Sequence, residues 1–480
     1  MGRKVYLSLI FSFLAIAGYA QNDDYNQFRQ QILNDYSNYR GQVLDNYARF
    51  LDTVWKDYES FRGESLFPDK KPKVNPTAPK VDDTPFSVIP TPDKPTEPKP
   101  KPSAPIDIKP EAPSPLVDNV SFPFYTATVK SPKINVPHLK EVNEKAISRL
   151  WTEYQNNNVY SKISASLQQV RLAYHLNDWL TYVLVRKYSD AIYANDANSS
   201  LVLSHYILVN MGYNVRLGKN SNNRILLLVP FKQNIYERPF LKIDGVRYYI
   251  FFEDTSRITN NSIGAVYTCD LPQDAYIGKS LNLVLENPTF PSNGYTEYNK
   301  SYRSMTLKGR IPNIAIQIGK DYLQTDVPVY ASSSLSEEFR KDLLTQVSSQ
   351  IQGLSEYDAV GKILDFIQHA FNYKTDWDQF GYEKSFYVEE NFYYSANDCE
   401  DRAVLLAFLV RNLLHLDVHL LYYPGHEATA IRFSDQSIKG DGYVYQDGSK
   451  YIICDPTYIG AGVGQCMPEY ENVKPKVELW

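Results

Sequence analysis

The sequence predicts an α+β fold made of two successive halves, 118–330 and 331–480, behind a long helix and a proline-rich linker. Three observations predict it. Helical patterns at 138–155, 164–193 and 201–211 are followed by strand-like runs at 213–217, 224–229 and 248–253. The same order returns later: helical patterns at 336–352, 359–371 and 398–414, then strands at 418–423, 428–433, 442–446 and 450–454. Finally, the halves can be laid together. Shifting the second back by 203 residues puts 416–420 on 213–217 and Asp447-Gly448 on Asp244-Gly245. One inserted residue later, Asp455-Pro456-Thr457 falls on Glu253-Asp254-Thr255. The first half thus reads as a degenerate copy, with no cysteine near 196 and no histidine near 223. Its β-rich extension includes 281–288 and 313–319.

The elements before the halves follow in order. In residues 1–20, Arg3 and Lys4 precede an apolar run from Val5 to Ala17 and the small-residue end Gly18-Tyr19-Ala20. This is the grammar of a cleaved secretory signal. The run is shorter than the roughly 20 residues a spanning helix needs, and no later stretch is long and apolar enough to span. The expectation is a secreted or periplasmic protein, cleaved near Ala20.

Residues 21–66 carry an eleven-residue repeat. Tyr25, Tyr36, Tyr47 and Tyr58 are in phase, as are Phe28, Tyr39, Phe50 and Phe61. Eleven residues over three turns is about 3.67 per turn, so the apolar positions stay on one face of an amphipathic helix. Protein contact or self-association is the expected use. Acidic residues interleaved with Arg and Lys argue against anionic lipid. Residues 67–117 hold fifteen of the 29 prolines and form a semi-rigid spacer.

Composition excludes several classes. Four cysteines in 480 residues cannot staple a disulfide scaffold. A net charge of −5 lacks the basic excess of a dedicated nucleic-acid binder. No CxxC, HExxH or glycine-rich phosphate loop occurs, so neither a metal nor an organic cofactor is expected.

Three short stretches of the second half carry chemistry. They are Asn397-Asp398-Cys399-Glu400-Asp401-Arg402 opening an apolar helix, Gly425-His426-Glu427 before a strand, and Cys454-Asp455-Pro456-Thr457 after one. A helix N-terminus favours the thiolate that a cysteine nucleophile needs. A strand histidine can take the thiol proton and return it to a leaving group. An aspartate at the next strand's end can orient the imidazole. Glu400 and Asp401 oppose thiolate formation, so a moderately depressed thiol pKa is expected. His415 and His419 straddle a helix-to-strand boundary and should not share a face. One disulfide is open to the remaining cysteines, Cys454–Cys466 or Cys269–Cys466.

At Asp398-Cys399, Gly425-His426 and Asp455-Pro456-Thr457 the sequence resembles the transglutaminase-like superfamily of papain-type thiol enzymes, over about 340–460. The resemblance implies a cysteine-bearing helix packed on an antiparallel sheet. It also implies a triad of Cys399 as nucleophile, His426 as general base and acid, and Asp455 as orienter. The activity it implies is attack on an amide of a protein or peptide substrate, either as a peptidase or amidase or as a transglutaminase. Two features depart from the family: His426 is followed by Glu427-Ala428-Thr429 where many members have an aromatic residue, and a polar insert occupies 434–441. The backbone N–H of Cys399 would serve as one oxyanion donor. The second is open among Gln379, Tyr382, Tyr393 and Tyr394, in an aromatic stretch at 371–394 that suits a cleft wall. The rival reading is a non-catalytic cell-envelope scaffold or binding protein.

Overall fold

The computed structural model describes Ser87–Val88 and residues 118–236, 238–252, 266–268, 278–445 and 448–478. The export signal, the repeat helix, Cys269, the 253–255 segment and all of the linker except Ser87–Val88 lie outside the described residues. Everything below belongs to one compact unit, Pro72–Trp480.

After β1 (Ser87–Val88) and the hairpin β2 (Asn119–Phe124) and β3 (Ala127–Pro132), four helices follow: Glu144–Asn156, Val159–Ala173, Asp178–Ile192 and Ala197–Asn210. The single helical pattern read at 164–193 is therefore two helices. His175, at φ 50°, ends the first, and the Asn177 side chain caps the second by accepting the Leu180 N–H. A sheet comes next, from β4 (Arg216–Asn220), β5 (Ile225–Pro230), β6 (Phe240–Ile243), β7 (Val246–Phe251) and β8 (Val266–Thr268), in the order β6-β7-β5-β4-β8.

The connecting region departs from the β-rich expectation. Residues 281–288 make only isolated bridges, and 313–319 lies in the helix Asn313–Asp321. Ile314, Ile316 and Ile318 alternate as a buried strand would, but Ala315 and Gly319 are buried too, so periodicity could not separate the two forms. The hairpin β9 (Tyr295–Tyr302) and β10 (Met305–Pro312) precedes that helix.

The helix Val327–Ser332 crosses the boundary at 330/331, and the second half continues with helices Glu337–Ile351, Glu356–Ala370, Asp376–Phe380, Val388–Tyr393 and Cys399–Leu414. Short strands β11 (Asn372–Tyr373) and β12 (Ala396–Asn397) pair between them. Its sheet comprises β13 (Asp417–Tyr423), β14 (His426–Arg432), β15 (Gly442–Val444), β16 (Lys450–Cys454) and β17 (Lys476–Glu478), in the order β15-β16-β14-β13-β17, with β1 added beside β15.

Taken strand for strand, the two five-strand orders are the same, and both are antiparallel. The registers agree as well. Leu420 opposes Thr429, which opposes Cys454; Leu217 opposes Leu227, which opposes Phe251. Faces follow: Leu217, Leu227, Phe251, Leu420, Ile431 and Cys454 all point into one apolar cluster fed by both halves. Leu226, Leu228 and Ile250 face away in the first sheet, as Ala428, Ala430 and Ile453 do in the second. On this register His426 falls on Arg224 and Asp455 on Phe252, one residue from the sequence-based alignment.

Candidate active site

Local chemistry places each functional group. Pro424 and Gly425 form a two-residue turn joining β13 to β14, and Gly425 takes φ 76°, a conformation glycine adopts without penalty. His426 is therefore the first residue of β14, directly opposite Tyr423. Asp455 follows the last residue of β16, with Pro456 ending the ladder. His426 Nε2 lies 2.8 Å from Asp455 Oδ2, and both side chains are buried. Asp455 Oδ1 accepts the backbone N–H groups of Thr457 and Tyr458, so both carboxylate oxygens are fixed. An Nε2–H donated to Asp455 leaves Nδ1 as the ring's acceptor.

Cys399 is the first residue of its helix, after the N-cap Asp398. It is the one partly exposed residue in the run 396–402. Its sulfur accepts the backbone N–H of Glu427, the residue after His426. Its S–H points to Glu400 Oε2 at 3.2 Å. The structure thus brings His426 and Asp455 into direct contact and sets Cys399 against the strand residue next to them.

Electrostatics correct one expectation. The Cys399 thiol is pushed well above its ordinary pKa, first by burial and then by the carboxylates of Glu400 and Asp398. The Glu427 N–H acts the other way and is outweighed. The moderate depression expected from the helix start is thus overturned, with Asp398, Glu400 and Asp401 all buried beside the thiol. Burial likewise holds Asp376 up, to about 9, with Glu400 as the next cause.

Residues that sequence reasoning missed complete the site. Tyr470 stacks on the His426 ring, centroids 5.1 Å apart and planes 15° apart. Tyr373 and Tyr470 both lie close enough to Cys399 for its charge to raise their pKa values, behind the larger effect of burial. Gln368 donates to the carbonyls of Asp455 and Ala461, pinning the segment that carries the aspartate. Buried Arg402 donates to Asn397 Oδ1 and to the Phe371 carbonyl, tying the helix start to β11 and β12. Only the aromatic richness of 371–394 pointed toward Tyr373.

The other candidates are placed as follows. The Gln379 amide donates to the Ala396 carbonyl, Tyr393 receives Lys320, and Tyr394 packs edge-on against Phe380. Tyr382 packs beside Phe380. His415 closes the helix in the left-handed conformation, whereas His419 bonds the Tyr443 hydroxyl from β13. Cys399, Cys454 and Cys466 are all free thiols, so the Cys454–Cys466 pairing does not form. Both of the latter are buried.

Comparison with protein-family models, with curated proteins and with solved structures finds no match for this chain. No helix among the described residues is long and apolar enough to cross a membrane.

Proposed function

We propose that the protein is a thiol enzyme that attacks amide carbonyls through an acyl-enzyme. Cys399 is the nucleophile, His426 the general base and acid, and Asp455 the orienting carboxylate. The observation that supports this is the buried 2.8 Å His426–Asp455 pair, which occupies Nε2 and leaves Nδ1 to accept a proton, one strand residue from the Glu427 N–H that meets the helix-start cysteine. The thiol proton passes to Nδ1 as sulfur bonds to the carbonyl carbon. The carbonyl electron pair moves onto oxygen, then returns to expel the amine, which takes the proton from the imidazolium. Water releasing the acyl group makes a peptidase or amidase; a second amine makes a protein-glutamine transglutaminase.

A papain- or transglutaminase-like core belongs to the same proposal, supported by the cysteine helix lying on an antiparallel sheet. So do a protein or peptide substrate and action outside the cytoplasm, the latter resting on residues 1–20. The first half is proposed as a diverged, chemically silent copy.

One observation favours a second reading, a non-catalytic cell-envelope scaffold: Glu400 takes the Cys399 S–H and helps to hold the thiol protonated. Mapping iodoacetamide labelling near pH 7 separates the two. The enzyme reading expects Cys399 to label faster than a free thiol. It also expects wild type, and not Cys399→Ala, to cleave casein or to incorporate a fluorescent primary amine. Slow labelling with equal inertness of both proteins supports the scaffold.

A further inference from the structure

We propose that Tyr373 is a further catalytic residue, the second oxyanion donor, its O–H acting with the backbone N–H of Cys399 on the oxygen of the attacked carbonyl. This rests on the thiol-enzyme reading and adds a residue to it. The fold brings Tyr373 to the nucleophile. It is the last residue of β11 and stands opposite Asn397 of β12, two residues before Cys399. The Lys374 N–H donates to the Asn397 carbonyl, which carries that pairing past the tyrosine. The Arg402 guanidinium, about one turn into the cysteine's helix, lies 5.4 Å from the Tyr373 ring centroid. The ring is therefore held against the helix start from two directions.

Tyr373 and Tyr470 both lie close enough to the sulfur for its charge to act on them, but they belong to different parts of the site. The charges acting on Tyr470 include Asp455, and its ring stacks on His426. Its hydroxyl is directed at the Pro424 carbonyl. The charges acting on Tyr373 are those of Cys399, Asp398, Glu400 and Arg402, all at the helix start. Tyr373 thus stands with the free N–H groups that open a helix, and Tyr470 with the base.

The Tyr373 hydroxyl is also unspent. Among the described residues it has no hydrogen-bond partner, and the residue is partly exposed. Of the donors expected from the sequence, Gln379 gives its amide to the Ala396 carbonyl and Tyr393 receives Lys320. Burial first, and then the charges of Cys399, Asp398 and Glu400, hold the Tyr373 phenol well above the usual tyrosine range. It keeps its proton, so it can donate whenever the thiol reacts. As sulfur bonds to the carbonyl carbon, the C=O electron pair moves onto oxygen, and the Tyr373 O–H hydrogen-bonds to it. No proton is transferred there. When the pair returns and the amine leaves, Tyr373 is unchanged. Its contribution is felt only while the oxygen carries charge.

The test compares two reactions of the same sulfur in the full chain, near pH 7. p-Nitrophenyl acetate acylates a thiol through a tetrahedral oxyanion; iodoacetamide alkylates it without one. The Cys399→Ala rate is subtracted from each. Tyr373→Phe should slow acylation of Cys399 about 10²-fold and leave alkylation unchanged. Because the hydroxyl bonds nothing in the fold, the thermal midpoint should stay where it is. Tyr373→Gln, which returns an N–H donor, should regain part of the loss. Tyr373→Leu carries the same comparison if the phenylalanine variant does not fold. Equal acylation by wild type and Tyr373→Phe would overturn the assignment and leave the nucleophile standing. A parallel fall in both reactions would overturn it too, by showing a disturbed thiol. Wild type that acylates no faster than Cys399→Ala would instead remove the acyl-enzyme reading itself, and the role of Tyr373 with it.

Discussion

In the first half, the sheet β6-β7-β5-β4-β8 follows a helix whose first residue is Ala197; in the second, β15-β16-β14-β13-β17 follows one whose first residue is Cys399. Each helix is introduced by an aspartate, Asp196 or Asp398. Near that point each fold delivers a strand N–H to the helix start. In the first half the Ile225 N–H meets Asn198 Oδ1 at 2.9 Å; in the second the Glu427 N–H meets Cys399 sulfur. Where the second half pairs His426 with Asp455, the first lays the Arg224 guanidinium over the Phe252 ring at 5.2 Å. The shared architecture thus supplies a meeting point of helix start, strand start and strand end. Whether it holds a histidine–carboxylate hydrogen bond or a cation–π contact depends on the side chains at the two strand positions. A framework of this kind can keep its packing while its chemistry changes.

The comparison breaks most visibly in activity. Under the proposed function, Cys399→Ala should cost at least about 10³-fold in amide turnover. Adding Ala197→Cys to that variant should restore nothing, because Arg224 and Phe252 supply neither base nor orienter. Turnover recovered in the double variant, followed by amine release, would show the first half to be competent.

Stability should instead treat the halves alike. Leu203 and Leu405 are both 0% exposed and belong to the same apolar cluster. Replacing either with alanine should cost about 2–5 kcal/mol. Scanning calorimetry should show both changes lowering the same transition. Separate transitions, each moved by one variant, would make the halves independent.

Acid and base should act on the halves in opposite directions. In the second half, burial raises Glu389 to about 7 from the usual 4.5. Its folded form holds a proton that the unfolded chain releases, so its contribution is whole below about pH 4.5 and is lost as pH rises to about 7. In the first half, burial lowers His205 to about 3 from 6.5. Its contribution is whole above about pH 6.5 and is lost as pH falls toward 3. Glu389→Gln keeps an acceptor for the Leu335 and Ser336 N–H groups. Urea unfolding should find it flatter than wild type between pH 4.5 and 7, and more stable at pH 8 by roughly 2–3 kcal/mol. An unchanged slope would show that Glu389 is ionised in the fold.

Much of this was legible in the sequence because it is local. Alternation marked the strands, an aspartate before an apolar run marked the helix of Cys399, and Pro-Gly and Asp-Pro marked the edges where His426 and Asp455 stand. The sequence-based alignment of the halves differs by one residue at His426 and Asp455 from the strand register, since only pairing between strands fixes register. The helix at 313–319 was hidden because its three isoleucines fall on every second position, the spacing of a strand face. Tyr470, Gln368 and Tyr373 reach the site through long-range contacts that no local pattern encodes. The thiol's environment was misjudged for the same reason: Glu400 and Asp398 are polar in sequence, and only the packed structure removes them from water.

One apolar cluster drawn from both halves has an evolutionary consequence. The first half cannot drift freely, because a cavity opened at Leu203 or Leu227 is felt by the whole cluster that also supports the Cys399 helix and Cys454. Selection on whatever the second half does therefore reaches the interior of the first, leaving its loops and edges as the places where new roles can arise.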